Sequence, residues 1–131
     1  MTKAIKKNKP LVFIVEDNEA YRILLGKVLE KRGFLVMMFE HGRKAVDMLQ
    51  YVQPSLILSD ITMPCMDGFE LHNYVIEKFG RVKIPFVYLS SDTSAEHINR
   101  ATKLGASRML GKPIEPDALA DTIDIVLTET I

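Results

Sequence analysis

Leu11-Val-Phe-Ile-Val15 runs without a break into Glu16-Asp17-Asn18. A strand with one wet face alternates apolar and polar residues. An unbroken run rich in branched side chains suits a strand covered on both faces. The run stops at two acids, and Asn18 can cap the helix that follows. Tyr21, Leu24, Leu25, Val28 and Leu29 then fall on one helical face. Gly33, after Lys31 and Arg32, sits where a helix-terminating glycine belongs.

The same strand-then-helix grammar recurs four more times. Phe34 to Phe39 reads as a strand, and His41 to about Tyr51 as a helix with Ala45, Met48 and Leu49 inward, broken by Pro54. Ser55 to Ser59 is a third strand. A loop with Pro64 and Gly68 leads to a helix over 69–79, with Leu71, Val75 and Phe79 inward and Gly80 as its stop. Ile84 to Leu89 is a fourth strand. Asp92, Thr93 or Ser94 can cap a helix to Leu104, closed by Gly105. Ser107 to Leu110 is the fifth strand, and Pro116 opens a last helix with Leu119, Ile123 and Val126 inward. Five such units predict an α/β fold: a doubly wound (βα)5 three-layer sandwich around a parallel five-stranded sheet. In the flavodoxin-like strand order 2-1-3-4-5, ligands gather at the C-terminal ends of strands 1 and 3. A functional site is therefore expected just after Val15 and just after Ser59.

The chain has 131 residues, enough for one domain with its own core. That domain is expected over 11–131, behind a flexible basic segment, 1–10, that carries Lys3, Lys6, Lys7 and Lys9. The formal net charge of +0 argues against direct nucleic-acid binding, which needs clustered Lys and Arg. No apolar run is long enough for membrane insertion. The single cysteine, Cys65, can form neither an internal disulfide nor a zinc site by itself, and it fits a reducing, cytoplasmic setting.

Polar residues stand where the topology points. Glu16 and Asp17 follow the first strand, Asp60 the third, Ser90 the fourth and Lys112 the fifth. Taken one at a time, an Asp after a strand is usually a turn or cap residue, and Ser90 alone reads as a loop residue. Together, at four strand ends on one rim, they form a constellation. Three carboxylates repel one another, and an all-oxygen set is what a hard cation takes, so Mg²⁺ is expected, or Mn²⁺ in its place. Lys112 supplies a compact positive charge and Ser90 a hydroxyl. These groups fit one reaction: attack by Asp60 on phosphorus to give an aspartyl phosphate, with metal and lysine stabilising the transferring group.

At these residues the chain resembles the receiver domains of two-component response regulators, the chemotaxis-regulator-like fold. The resemblance runs from about Leu11 to Thr128. It rests on LVFIVEDN with Glu16 and Asp17, LILSDITMPCMDG around Asp60, FVYLSS ending at Ser90, and GKPI with Lys112. It implies that Asp60 is the phosphoacceptor, that Asp17 binds Mg²⁺ directly and Glu16 through water, and that the Thr62 backbone carbonyl completes the metal shell. It further implies that Ser90 is the switch hydroxyl, that Lys112 binds phosphate, that the Lys112–Pro113 bond is cis, and that Met63, Pro64 and Gly68 shape the loop. The expected partners are a sensor histidine kinase or a histidine phosphotransfer protein. A downstream protein target, or a second copy, would bind through helix 4, strand 5 and helix 5, roughly Thr93 to Thr128. Such a domain is not a conventional enzyme, since it catalyses only its own phosphorylation and dephosphorylation. Two positions depart from the common pattern. Met109 stands where a rotating aromatic is frequent, and Ser91 where Ala is.

Three other readings compete. A haloacid-dehalogenase-like phosphatase needs a second Asp two residues after the nucleophile, and Thr62 is there. A flavodoxin-like electron carrier needs a phosphate-cradling loop after strand 1, where Glu16 and Asp17 would repel phosphate. A receiver-like interaction module without phosphotransfer would lack the acceptor or the lysine, and both are present. A stand-alone regulator and a receiver belonging to a larger regulator or hybrid kinase both fit these residues.

Overall fold

The computed structural model describes residues 9–129. The basic segment expected over 1–10 lies outside the described residues except for its last two positions. Ten elements alternate as β1 (Leu11–Val15), α1 (Glu19–Lys31), β2 (Leu35–Phe39), α2 (Gly42–Leu49), β3 (Leu56–Asp60), α3 (Gly68–Phe79), β4 (Phe86–Ser90), α4 (Ala95–Leu104), β5 (Arg108–Gly111) and α5 (Pro116–Glu129). The strands form one parallel sheet of order β2-β1-β3-β4-β5, as the sequence predicts.

Successive residues of each strand point to opposite faces, and the core divides accordingly. Phe13, Val15, Ile57, Phe86 and Tyr88 pack beneath α2, α3 and α4. Val12, Ile14, Leu56, Leu58, Val87 and Leu89 pack beneath α1 and α5. The three central strands are therefore apolar on both sides, each such side chain contributing about 1.5–3 kcal/mol by its burial. β2 is an edge strand with exposed Leu35 and Met38.

Several boundaries differ from expectation. β4 starts at Phe86: Pro85 has no N–H to donate to the ladder and takes part only through its carbonyl, which accepts the Ile57 N–H at 3.0 Å. β3 takes in Asp60 itself. α3 begins with a capping box: the Asp67 carboxylate accepts the Glu70 N–H at 2.8 Å, and the Glu70 carboxylate accepts the Asp67 N–H at 3.0 Å. Ser94 is the cap of α4. Leu24 does not face the core. It is 48% exposed, and Leu25, Gly26 and Leu29 form the buried stripe of α1.

Candidate functional site

The rim predicted from strand ends exists. Asp60, the last residue of β3, is buried at 6% exposure. Its Oδ1 accepts the Ile61 N–H at 2.8 Å and its Oδ2 accepts the Lys112 ammonium at 2.9 Å. Glu16 directly follows β1 and is fully buried, its Oε2 accepting the Asn18 N–H at 2.9 Å. Lys112 Nζ lies 2.5 Å from Glu16 Oε1, so one ammonium bridges two buried carboxylates. Asp17 is exposed beside them. One carboxylate oxygen from each of Glu16, Asp17 and Asp60 can be chosen so that all three lie within 4.8 Å of one another.

Electrostatics follow from this crowding. Burial pushes the Glu16 carboxyl above its usual range, against the pull of Lys112 and the Asn18 N–H, and the like charge of Asp60 adds to the rise. Burial alone would push Lys112 down, but contact with Glu16 and Asp60 outweighs it and holds the ammonium above its ordinary value. The two shifts share a direction for different reasons: burial, helped by the neighbouring acids Asp60 and Asp17, raises Glu16, whereas contact with two carboxylates raises Lys112. Apart from the ion-pair approach of Lys112, Glu16 Oε1 makes no hydrogen bond although it is buried. Three convergent carboxylates with no sulfur or nitrogen donor among them suit a hard divalent cation.

Ser90 ends β4 and is buried, but its hydroxyl is turned into its own loop. It donates to the Asp92 carbonyl at 2.8 Å and accepts the Asp92 N–H at 2.9 Å. The Lys112 N–H donates to the Ser90 carbonyl at 2.9 Å, which ties the loops after β4 and β5 together. Thr62 lies two residues past Asp60 and is exposed. The Lys112–Pro113 bond is cis. Met109 is half-buried on β5, paired in register with Tyr88 and facing the α3–α4 side of the core.

Gly68 was expected to shape the loop, whereas Arg22 and Tyr21 were not anticipated as parts of the site. Gly68 N–H donates to the Ile61 carbonyl at 2.7 Å, and a Cβ on Gly68 would sit 2.4 Å from the Asp60 carbonyl oxygen. Arg22 donates to the Glu16 carbonyl at 2.8 Å. Tyr21, read from sequence as a core position, has its ring centroid 5.1 Å from Lys112 Nζ. Its place in the first turn of a helix that starts at the acidic pair was the available signal.

The family model described as "Response regulator receiver domain" matches residues 12–124. The chemotaxis protein CheY of Halobacterium salinarum is 32% identical over 117 residues, covering 89% of this chain and 96% of that protein. The transcriptional regulatory protein DegU of Brevibacillus brevis is 29% identical over 128 residues, which is 96% of this chain but 53% of that protein. Among solved structures, the chemotaxis response regulator CheY4 of Vibrio cholerae superposes with a TM-score of 0.85 at 29% identity, covering 91% of this chain and 99% of that one.

Proposed function

The chain belongs to the response regulator receiver domain family of two-component systems, and on that premise we propose that it accepts a phosphoryl group on Asp60. Receiver domains work with sensor kinases or phosphotransfer proteins and bind Mg²⁺ in an acidic pocket. In the finer reading, the donor is a phosphohistidine of such a partner. An Asp60 carboxylate oxygen forms a bond to phosphorus as the bond from phosphorus to the donor's imidazole nitrogen breaks, and the imidazole leaves with the electron pair. The bridging position of Lys112 between Glu16 and Asp60 is the observation that supports this best. The ammonium already rests where charge would grow, and a short movement from the Asp60 carboxylate brings it to a phosphoryl oxygen.

Glu16, Asp17, Asp60 and the Thr62 carbonyl are the proposed holders of Mg²⁺, or Mn²⁺ in its place. The ion would supply charge neutralisation on the transferring group. Ile61 N–H fixes one oxygen of Asp60 and orients the carboxylate. Ser90 is the proposed switch hydroxyl: it would leave Asp92 to donate to the new phosphoryl group. The population would then shift toward a conformation that binds a downstream protein or a second copy through α4, β5 and α5, with half-buried Met109 in the moving layer. The setting is proposed to be cytoplasmic; no helix among the described residues is long and apolar enough to cross a membrane.

The test is labelling with acetyl phosphate in the presence of Mg²⁺, read by intact-protein mass. Wild type should gain one phosphoryl group and Asp60→Asn none. Undiminished labelling of Asp60→Asn would overturn the assignment.

A further inference from the structure

We infer that Tyr21 is a positioning residue for phosphoryl transfer, its ring holding the Lys112 ammonium against Asp60. The inference rests on the reading of Asp60 as the phosphoacceptor. Lys112 Nζ carries three N–H bonds. Two carboxylates approach it, Glu16 Oε1 at 2.5 Å and Asp60 Oδ2 at 2.9 Å. The ring of Tyr21 lies close as well, its centroid 5.1 Å away. A cation within about 6 Å of an aromatic face is attracted by the ring's negative face, more strongly where water is thinned out. Lys112 is half-buried, so that condition is met.

The residue is anchored at both ends, by its backbone and by its phenol. The Tyr21 N–H donates to Asn18 Oδ1 at 2.9 Å, in the cap of α1. The phenol oxygen accepts the Ile114 N–H at 3.4 Å, two residues past Lys112. One side chain thus spans from the helix that follows the acidic pair to the turn that carries the lysine. Tyr21, Leu24, Pro113 and Lys112 together line an open cleft of about 600 Å³, so the ring and the lysine share one wall of it.

This placement matters because lysine is a poor self-positioner. Its flexible four-carbon stem holds a point charge with no preferred plane. During transfer the ammonium exchanges its contact with Asp60 Oδ2 for one with a phosphoryl oxygen. The π face is a contact that this exchange leaves intact, so it restrains the lysine throughout. An aliphatic side chain of similar size would fill the space without doing so.

The experiment measures the rate of acetyl-phosphate labelling of the full chain in Mg²⁺ for wild type, Tyr21→Phe and Tyr21→Leu. Tyr21→Phe keeps the ring and loses only the contact with Ile114, so its rate should stay within about twofold of wild type. Tyr21→Leu should be about fivefold to thirtyfold slower. A second series, which decides the matter even if Tyr21→Leu fails to fold, places phenylalanines of increasing ring fluorination in place of Tyr21. Fluorine drains the π face at nearly constant shape, so the rate should fall stepwise along the series. A flat series overturns the inference, as does a Tyr21→Leu rate equal to wild type. If either result accompanies loss of labelling in Asp60→Asn, only the role of Tyr21 fails. Persistent labelling of Asp60→Asn would remove the phosphoacceptor reading instead.

Discussion

Asp60 is placed by peptides as much as by side chains. Ile61 N–H holds its carboxylate, and Gly68 packs directly on its carbonyl, where an added Cβ would lie 2.4 Å from the Asp60 oxygen and 2.9 Å from Ile61 Cα. Those neighbours are backbone and cannot swing aside. Gly68→Ala is therefore expected to push the loop after β3 outward, destabilising the fold by roughly 1–3 kcal/mol and slowing labelling of Asp60. Urea denaturation and acetyl-phosphate kinetics check this; an unchanged midpoint together with an unchanged rate would show that the loop yields freely. The five side chains of the rim were legible in sequence because strand ends are easy to find in unbroken apolar runs, and topology then dictates which ends meet. The direction of the Ser90 hydroxyl was not legible. It depends on where the Asp92 peptide falls, and no spacing rule encodes that. The contact between Tyr21 and Lys112 was hidden for a similar reason: a tyrosine on an apolar stripe looks like core, and its partner lies at the far end of the chain.

Among the elements, α3 shows how local signals hold a distant site in place. Its capping box joins Asp67 and Glu70 in the first turn, from which Phe69, Leu71, His72 and Val75 enter the core. Gly68, its first residue, is the one seated on Asp60. Asp67→Ala should lower stability by about 1 kcal/mol, measured by urea denaturation, since it removes an N-cap acceptor; a midpoint equal to wild type would show that the box adds nothing to a helix start already fixed by packing. The pattern of an acid three residues before a Glu was present in sequence, although the helix was expected to start at Phe69, after a loop with Pro64 and Gly68, without a named cap. α1 departs in a different way. Five apolar positions at helical spacing suggested a broad inner stripe, but only a narrow one is buried. Gly26 lies so close to β2 that a Cβ would come within 2.7 Å of Met38 Sδ. The helix sits down on its glycine, which rolls Leu24 outward.

The α3–α4 side of the core holds a polar pair, His72 and Tyr88. His72 is 1% exposed, stacks on Phe86 with centroids 4.2 Å apart, and meets the Tyr88 hydroxyl through Nδ1 at 2.6 Å. Burial lowers the His72 pKa from 6.5 to about 4, with the charge of Arg81 adding to the fall. Burial likewise pushes the Tyr88 phenol up, so both groups stay neutral at ordinary pH. The unfolded chain thus binds a proton at His72 more readily than the folded one does. Stability is full above about pH 6.5 and is lost as pH falls toward about 4; at 1.36 kcal/mol per unit the loss approaches about 3 kcal/mol. Urea denaturation at pH 7 and pH 4.5 should show this fall, and His72→Leu should show a smaller one. Equal pH dependence in the two proteins would locate acid sensitivity elsewhere, in the carboxylates of the rim.

The Ser90 hydroxyl, closed on the Asp92 peptide, bears on how quiet the domain is before any signal arrives. Freeing it breaks two hydrogen bonds, each worth about 1 kcal/mol net. At about 2 kcal/mol, the released form would make up only about 3% of resting molecules. In the proposed switch, that fraction is the background noise of the pathway, and it is set by a loop peptide that touches neither the acceptor nor the metal pocket.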